Sequence, residues 1–249
     1  MSFQNKVEVV TGSTAGIGEA VVEQLHQSGA RVVVVARSRE QAEHKAKSLS
    51  PEGRTAVGIG CDVSQPEQVR QMIDEVVARF GRLDYAVNNA GITGDRQKNI
   101  AQQTIDNWQR VIAASLSSVF YCMKYEIPRI VKSGGGAIVN LSAVNGLVGI
   151  PGLAPYTRAK HGVIGLTQTA ALEFAQQGLR VNAVAPGYVG TPRINELPAS
   201  VQRAFADSHP LKRMAKMQEV ADFILFLLSE KAGFCSGGVY PIDGGYLAE

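Results

Sequence analysis

A tyrosine and a lysine four residues apart, Tyr156 and Lys160, form the first pair whose types and spacing could do chemistry. On a helix, two side chains at this spacing project from the same face about one turn apart. A phenol titrates at about pH 10, and a neighbouring ammonium stabilises its ionised form and so lowers its pKa. The pair could therefore transfer a proton near neutral pH, although the same spacing is also typical of an ordinary pair on a helix surface.

A glycine-rich turn at residues 11–18, with the sequence TGSTAGIG, is the second such feature. It follows an apolar run and precedes a predicted helix. Glycines permit a tight turn and a close approach of the backbone to a ligand, and the free amides at a helix start suit a pyrophosphate. Turns without ligands and enzymes that bind S-adenosylmethionine use similar sequences, but the position after the first strand of a βα series favours a nucleotide.

The elements that must position these residues alternate along the whole chain. Short apolar runs predict strands and longer amphipathic stretches predict helices, which together indicate βα units around a parallel sheet. Right-handed crossovers place helices on both faces, so we predict one α/β domain over residues 1–249 with a doubly wound sheet. The predicted strands lie near residues 6–11, 31–36, 54–61, 83–88, 136–142, 179–185 and 238–242, and the helices near 16–29, 39–48, 66–80, 104–132, 156–178 and 217–230.

One segment, at residues 186–215, interrupts this alternation. It carries four prolines and one short predicted helix near 199–208. Ligands of doubly wound sheets bind beyond the carboxyl ends of the strands, and this segment follows the sixth strand. We therefore expect it to form a substrate loop, or lid, over the site.

Glu8 contradicts the pattern of the first predicted strand. Its apolar neighbours Val7, Val9 and Val10 predict burial on both faces. An unpaired buried carboxylate is destabilising unless it is protonated, so the sequence offers no reason for this residue.

The composition is that of a soluble globular protein. Of the 249 residues, 45% are hydrophobic and 19% are charged, and the mean hydropathy is −0.01, which excludes a mainly disordered chain. The formal charge of +3 without a basic run predicts no nucleic-acid partner. Three cysteines without metal-ligand spacing predict free thiols and no metal site. Without a signal peptide or a long apolar stretch, we predict a cytoplasmic protein with no membrane partner.

Four motifs in a fixed order carry a resemblance to a known family. They are the glycine pattern GxxxGxG at residues 12–18, Asn88-Asn89-Ala90-Gly91 after the fourth predicted strand, the Tyr156 and Lys160 pair, and Pro186-Gly187 after the sixth. With this order and spacing, the whole chain resembles the short-chain dehydrogenase/reductase family. The resemblance implies a Rossmann fold with a mostly parallel seven-stranded sheet. It also implies an oxidoreductase that interconverts a ketone and a secondary alcohol, and a homotetramer.

The resemblance further implies roles for individual residues. Tyr156 would exchange the proton of the alcohol. Lys160 would bind the nicotinamide ribose and, together with the positive nicotinamide ring, would lower the pKa of the phenol. Asp62 would meet the adenine amino group. The residues implied to bind the dinucleotide are Gly12, Ser13, Thr14, Gly16, Ile17, Gly18, Arg37, Ser38, Asp62, Val63, Asn89, Ala90, Gly91, Tyr156, Lys160, Pro186, Gly187, Val189 and Thr191.

The end of the second predicted strand indicates which dinucleotide binds. An acidic residue there would accept hydrogen bonds from the ribose of NAD(H), but Ala36 stands where the family places that acid. Arg37, with Ser38, could bind the 2′-phosphate of NADP(H) through its planar guanidinium. An ordinary solvated loop charge is the alternative. We predict NADP(H) in preference to NAD(H).

Two positions of the predicted catalytic site depart from the family pattern. The serine that the family places thirteen positions before the tyrosine is here Ala143, which cannot donate a hydrogen bond to a substrate oxygen. Ser142 is adjacent, but neighbouring side chains of an extended segment point to opposite faces. Asn145 is another candidate donor. The family's asparagine is here Ser115, whose hydroxyl could anchor the water that links Lys160 to solvent. We expect a slowed rather than an abolished catalyst.

The sequence leaves two other functions open. A 3-oxoacyl carrier-protein reductase is a close relative, and Arg129 and Lys132 could help to dock an acidic carrier protein, although Gln176 and Gln177 stand where such reductases place a cation. A nucleotide-binding protein with impaired catalysis is the other alternative, because of Ala143 and Ser115. We favour a free small or medium ketone as the substrate.

Overall fold

The computed structural model describes residues 1–96 and 98–248, so residues 97 and 249 of the predicted domain lie outside it. Seven strands occur in the described chain: β1 (Val7–Thr11), β2 (Arg31–Ala36), β3 (Ala56–Gly60), β4 (Tyr85–Asn88), β5 (Gly136–Leu141), β6 (Leu179–Pro186) and β7 (Val239–Ile242). All are parallel, in the order β3-β2-β1-β4-β5-β6-β7. The predicted doubly wound α/β fold is confirmed.

Helices flank both faces of this sheet. They are α1 (Gly16–Gln27), α2 (Arg39–Leu49), α3 (Pro66–Phe80), α4 (Ile105–Ile112), α5 (Ser118–Lys132), α6 (Ala154–Phe174), α7 (Pro192–Asn195), α8 (Ala199–Asp207) and α9 (Met217–Leu228). Gly81 ends α3 with φ of 75°, a left-handed conformation that favours glycine.

The helix predicted at 104–132 is divided by a π-helical turn, Ala113–Ser117, between α4 and α5. Such wide turns interrupt the regular hydrogen bonding of a helix and often occur at functional sites. Ser115 lies in this turn, and its hydroxyl is bonded to the backbone of Ile92, outside the helix. Helical periodicity cannot predict a bond between segments so far apart along the chain.

Two apolar clusters, one on each face of the sheet, hold the layers together. Alternate residues of β2 point to opposite faces: Val32 and Val34 pack toward α1 and α9, and Val33 and Val35 pack toward α3 and α5. Each fully buried valine contributes about 1.5–3 kcal/mol. None of the described helices is both long and apolar enough to cross a membrane.

Glu8 is the exception within this core. It is fully buried in β1, between Val32 and Tyr85 of the two neighbouring strands. Among the described residues, neither of its carboxylate oxygens has a hydrogen-bond partner. Burial, and then the negative charge of Asp84, raises the pKa of Glu8 well above its usual value. Nothing in the structure explains a glutamate at this position.

Two contacts hold the segment at residues 186–215 in place. One lies where the segment begins and ends, and the other lies at helix α8. Val189 forms a parallel bridge with Ala215, so the chain leaves and returns at one place. The ring of Tyr188 stacks on that of Phe205 in α8, with 4.0 Å between the ring centroids. The short helix predicted near 199–208 is α8.

Candidate active site

The candidate site lies where the strand order of the sheet reverses. β1 and β4 are neighbours at its centre, and the chain crosses to β2 on one side and to β5 on the other. Ligands of doubly wound sheets bind at this point. The carboxyl ends of β1 and β4 carry the glycine-rich turn and the loop at residues 88–91, so the fold brings these two motifs together.

The glycine-rich turn has the shape that a dinucleotide requires. Gly12 and Gly16 have φ of 65° and 66°, and a Cβ at Gly18 would lie 2.4 Å from the carbonyl oxygen of Gly12. Helix α1 begins at Gly16, and the side chain of its N-cap residue, Ala15, makes no capping hydrogen bond. The amides of the first turn therefore have no side-chain cap. Uncapped amides at the positive end of a helix fit a pyrophosphate.

Two side chains brace this turn. Asn89 donates from Nδ2 to the carbonyl oxygens of Thr11 and Gly12, both at 2.9 Å. The Oγ1 of Thr11 accepts from the amides of Asn89 and Ala90 at 3.0 and 3.1 Å. Both amide hydrogens of Asn89 are thus committed to the protein. The sequence predicts a dinucleotide contact for Asn89, and the structure shows a bracing role for its amide. The sequence analysis does not name Thr11 as a site residue. Its position as the first residue of the glycine-rich motif is the signal that could have identified it.

Ser13, also predicted to contact the dinucleotide, has its hydroxyl bonded within the protein. Its hydroxyl donates to the carbonyl oxygen of Val10 at 2.7 Å and accepts from the amide of Val35 at 3.0 Å. These bonds join the end of β1 to β2 and leave the hydroxyl without a free hydrogen. The Ser13 side chain therefore supports the turn from inside the protein.

Tyr156 and Lys160 lie one turn apart on α6, as the spacing predicts. The Nζ of Lys160 is 5.5 Å from the ring centroid of Tyr156, and it donates to the carbonyl oxygen of Leu141 at the end of β5. A Cβ built at Gly91 would lie 3.8 Å from this Nζ. The pair and the loop after β4 therefore belong to one site.

Burial dominates the electrostatics of this pair. It raises the pKa of Tyr156 to about 12, an effect that the positive charge of Arg96 partly offsets. It also lowers the pKa of Lys160 to about 8. The resemblance implies that the pKa of the Tyr156 phenol is lowered. In the chain without a cofactor this pKa is raised instead, because desolvation outweighs the nearby charges. Tyr156 is a protonated phenol at neutral pH.

Ser115 holds the loop after β4. Its buried hydroxyl donates to the carbonyl oxygen of Ile92 at 2.8 Å and accepts from the amide of the same residue at 2.9 Å. A Cβ at Gly91 would lie 3.2 Å from this hydroxyl oxygen. The sequence predicts that Ser115 anchors the water that links Lys160 to solvent. Its only hydrogen is given to Ile92, so it would hold such a water through its second lone pair. Its two bonds to Ile92 position the loop.

The position of the missing hydroxyl is occupied by Ala143, a buried residue with extended backbone. Ser142 turns the other way and donates to the carbonyl oxygen of Lys160 at 3.0 Å. Asn145 donates from Nδ2 to Oγ1 of Thr157 at 3.2 Å, next to Tyr156. Ser142 therefore does not stand in for the missing serine, whereas Asn145 uses one amide hydrogen for Thr157, the residue that follows Tyr156 in the chain.

The end of β2 and the start of α2 supply the groups predicted to select the dinucleotide. Arg37 is exposed and forms no ion pair with any described residue, whereas Arg39 pairs with Glu43 and Glu75. Ser38 accepts from the amide of Gln41 and so caps α2. The guanidinium of Arg37 is thus available beside the positive end of a helix.

The remaining predicted residues line the same edge. Asp62 accepts from the amide and hydroxyl of Ser64 through Oδ1, which leaves its Oδ2 for an adenine, and Val63 is buried in the apolar cluster below. Thr191 lies against the glycine turn, since a Cβ at Gly16 would be 3.5 Å from its Cγ2. The other residues predicted here are Thr14, Ile17, Pro186, Gly187 and Val189, of which Pro186 and Val189 are buried.

Sequence reasoning missed His209, which fastens the segment at residues 186–215. Its Nε2 accepts from the amide of Tyr188 at 3.1 Å, so its Nδ1 carries the proton and donates to the carbonyl oxygen of Phe205 at 2.8 Å. A Cβ at Gly187 would lie 2.5 Å from Nε2, which explains the glycine. His209 belongs to no motif of characteristic spacing, so the sequence alone does not identify it.

The sequence matches known proteins along nearly its whole length. Residues 12–247 match the family described as enoyl-(acyl carrier protein) reductase. The chain is 40% identical to the cyclohexanol dehydrogenase of Acinetobacter sp. (strain SE19), over 99% of this chain and 97% of that protein. It is 40% identical to the cis-4-hydroxycyclohexanecarboxylate dehydrogenase of Sinomonas cyclohexanicum, over 99% and 98%. It is 38% identical to the 3-oxoacyl-[acyl-carrier-protein] reductase of Staphylococcus epidermidis, over 97% and 98%.

The fold is similar to that of solved structures. ElxO with NADP bound superposes with a TM-score of 0.92 at 34% identity, covering 98% of this chain and 99% of that one.

Proposed function

Because this chain belongs to the short-chain dehydrogenase/reductase family, we propose that it interconverts a ketone and a secondary alcohol with NADP(H). The family membership itself makes it an oxidoreductase of CH–OH and C=O groups with a small-molecule substrate. Beyond the family membership, we propose the preference for NADP(H), the residues that act in the reaction and the substrate.

One arrangement carries the proposal. Tyr156 and Lys160 share a face of α6, with 5.5 Å between Nζ and the phenol ring centroid, beside a turn that fits a pyrophosphate. When bound, a nicotinamide supplies or accepts the hydride. Tyr156, whose pKa is raised to about 12, holds its proton at neutral pH and donates it to the ketone oxygen. The ammonium of Lys160 stabilises the phenolate that results.

The test is the Tyr156→Phe variant. We expect it to abolish ketone-dependent oxidation of NADPH while binding of NADPH persists, because only the transferable proton is removed. Tyr125→Phe, on α5 away from the pair, is the matched control. Turnover by Tyr156→Phe at the unmodified rate would disprove the mechanism.

We propose that the rate is reduced by the alanine at position 143. No hydroxyl there can donate to the developing negative charge on the substrate oxygen, and the loss of one such donor costs about 2.7–4 kcal/mol, or about 100- to 1000-fold in rate. Asn145, which bonds to Thr157 directly after Tyr156, is the candidate to supply part of this stabilisation.

A free cyclic or other medium-sized ketone is the proposed substrate. Two relatives at 40% identity are named for the oxidation of cyclohexanols. A panel of cyclic and linear ketones, each assayed with NADPH and with NADH, tests this proposal directly.

Reduction of a carrier-bound 3-oxoacyl group is the alternative within the family. The relative from Staphylococcus epidermidis carries that name. Arg129, one of the two cations considered for docking, pairs with Asp74 at 2.9 Å, which weakens a basic patch on α5. Turnover of a 3-oxoacyl carrier protein at a higher kcat/KM than any free ketone would favour the alternative.

A nucleotide-binding protein with decayed catalysis is a further alternative, and Ala143 favours it. Isothermal titration with NADPH, together with the ketone panel, separates the two. Tight binding without turnover of any ketone would support the binding protein.

The preference for NADP(H) rests on Arg37 and Ala36. The guanidinium is exposed and unpaired among the described residues, and no acidic side chain replaces Ala36. A bidentate contact between guanidinium and 2′-phosphate is charge-assisted and therefore strong.

We further propose that one domain forms a cytoplasmic homotetramer, with residues 186–215 as its lid. Apolar side chains on α5 and α6 support the assembly, since Phe120 is 48% exposed and Leu172 is 84% exposed. Light scattering of the purified protein tests the tetramer.

A further inference from the structure

A buried polar network that the proposed reaction does not use runs behind the site. Glu126 on α5 is fully buried, and its Oε2 accepts from Nδ2 of Asn88 at 3.1 Å. The same Nδ2 donates to Oδ1 of Asn140 at 3.0 Å, and Nδ2 of Asn140 donates to Oγ1 of Thr167 at 3.0 Å. The network therefore joins α5 and α6 through the ends of β4 and β5.

Two oxygens of this network are buried with no donor among the described residues. They are Oε1 of Glu126 and Oδ1 of Asn88, and they belong to the two side chains that already share one hydrogen bond. An ionised carboxylate only accepts, so it leaves both oxygens unsatisfied. A proton on Oε1 makes it a donor to Oδ1. A carboxylic acid and a primary amide then pair through two antiparallel hydrogen bonds, and one proton satisfies both atoms.

We propose that Glu126 is a neutral carboxylic acid in the folded protein, doubly hydrogen-bonded to the amide of Asn88, and that this pair positions the dinucleotide turn and the catalytic helix. The next residue after Asn88 is Asn89, which holds the glycine turn through Thr11 and Gly12. At the other end of the network, Thr167 lies on α6, the helix of Tyr156 and Lys160. Glu126 is a positioning residue, and this second half of the proposal rests on the proposed function.

The surroundings of Glu126 favour the neutral acid. The titratable group that faces it from its own helix is the buried thiol of Cys122, whose pKa burial, Glu126 and Cys61 all raise. Cys61 follows β3. Within the described chain no cation lies against the carboxyl group. Burial raises the pKa of Glu126 to about 7, although the hydrogen bond from Asn88 acts in the opposite direction.

Difference infrared spectroscopy of the wild type against Glu126→Gln tests the proton directly. We expect the C=O stretch of a protonated carboxylic acid at pH 6 in the wild type and its loss in the variant. Glu8 is present in both proteins and cancels. Glu52→Gln, which removes one exposed carboxylate, is the matched control and should leave the band intact. Equal bands in the wild type and Glu126→Gln would overturn the proposal.

Thermal unfolding between pH 5 and pH 9 gives a second readout that needs no cofactor. A glutamine keeps both hydrogen bonds at every pH, because its Nε2 replaces the acid as donor to Asn88. The wild type retains its proton when folded at a pH where the unfolded chain has lost it, so its stability falls as pH rises toward about 7. We expect the midpoint of Glu126→Gln to exceed that of the wild type increasingly over this range. A constant difference would contradict the proposal.

Binding of the reduced dinucleotide tests the positioning role. Glu126→Met fills a similar volume but cannot pair with Asn88. We expect Glu126→Met to bind the preferred dinucleotide about five- to tenfold more weakly than Glu126→Gln at pH 6. Equal affinities would refute the positioning role. Failure of the proposed function leaves the infrared and unfolding results unchanged, so the two failures are distinguishable.

Discussion

The hydroxyl of Ser142 donates a hydrogen bond to the backbone carbonyl oxygen of Lys160 at 3.0 Å. This bond fixes the end of β5 against α6. It also commits the hydroxyl to the helix backbone, whereas the neighbouring Ala143 side chain points to the other side of the extended chain. Ser142 therefore does not supply the hydroxyl for the substrate, and the donor must come from position 143 or from a third residue.

Ala143→Ser is expected to raise the turnover of a ketone at least about tenfold, because a restored donor stabilises the developing oxyanion. The measurement is kcat with NADPH as the reductant. Ser142→Ala is the matched control, and it should lower stability by about 1 kcal/mol without a comparable change in kcat. No gain in Ala143→Ser would mean that another group, with Asn145 the first candidate, already supplies the donor.

Arg37→Asp is expected to shift the cofactor preference toward NADH. The change replaces a charge-assisted bond to the 2′-phosphate with repulsion, which corresponds to about 10- to 100-fold in the ratio of kcat/KM for NADPH to that for NADH. Arg39→Gln is the control, since that guanidinium is already paired with Glu43 and Glu75. An unchanged ratio would remove Arg37 from the account of cofactor choice.

Ser115→Ala is expected to destabilise the protein by about 1–3 kcal/mol, because the amide and carbonyl of Ile92 both lose their partner. The loosened loop should also raise the KM for the dinucleotide. Urea unfolding measures the first effect and initial rates the second. Ser118→Ala removes only a bond to Ala114 within the same stretch of helix and should have a smaller effect on both. Equal effects would argue against a clamp on Ile92.

The pH dependence of ketone reduction should report Lys160. Its pKa is lowered by burial to about 8, so the ammonium loses its proton as pH rises through that value. A neutral amine no longer stabilises the phenolate of Tyr156, and kcat/KM should fall about tenfold per pH unit above the pKa. Far-ultraviolet circular dichroism measured over the same range is the control for loss of structure. A profile that stays flat to pH 10 would contradict this assignment.

Glu8→Leu should stabilise the protein on the order of 2–4 kcal/mol at pH 8, because it removes a buried carboxyl group without a partner. The pKa of Glu8 is raised well above its usual value, so the folded chain holds its proton after the unfolded chain has lost it. Wild-type stability therefore falls as pH rises above the unfolded pKa, and the advantage of Glu8→Leu grows in the same direction. Denaturant unfolding at pH 5 and pH 8 measures this, and an equal advantage at both would show that Glu8 does not titrate differently on folding.

Periodicity was sufficient for most of the fold. Strand β2 is apolar at four successive positions and is buried on both faces, as such a run predicts. The predicted helix 104–132 failed only at the π turn. Ser115 in that turn bonds to Ile92, a residue far from it along the chain, and tertiary packing rather than any local pattern brings the two together.

The sequence by itself determined the chain of βα units, the glycine-rich turn at residues 11–18 and the placement of Tyr156 and Lys160 on one helix face. These features follow from local rules of spacing and backbone conformation. Only the tertiary structure decided which hydroxyls are free, since Ser13, Ser115 and Ser142 are each bonded to backbone of another segment. It also decided the direction in which the pKa values of Tyr156, Lys160 and Glu126 are shifted, because desolvation arises from residues distant along the chain that fold around them.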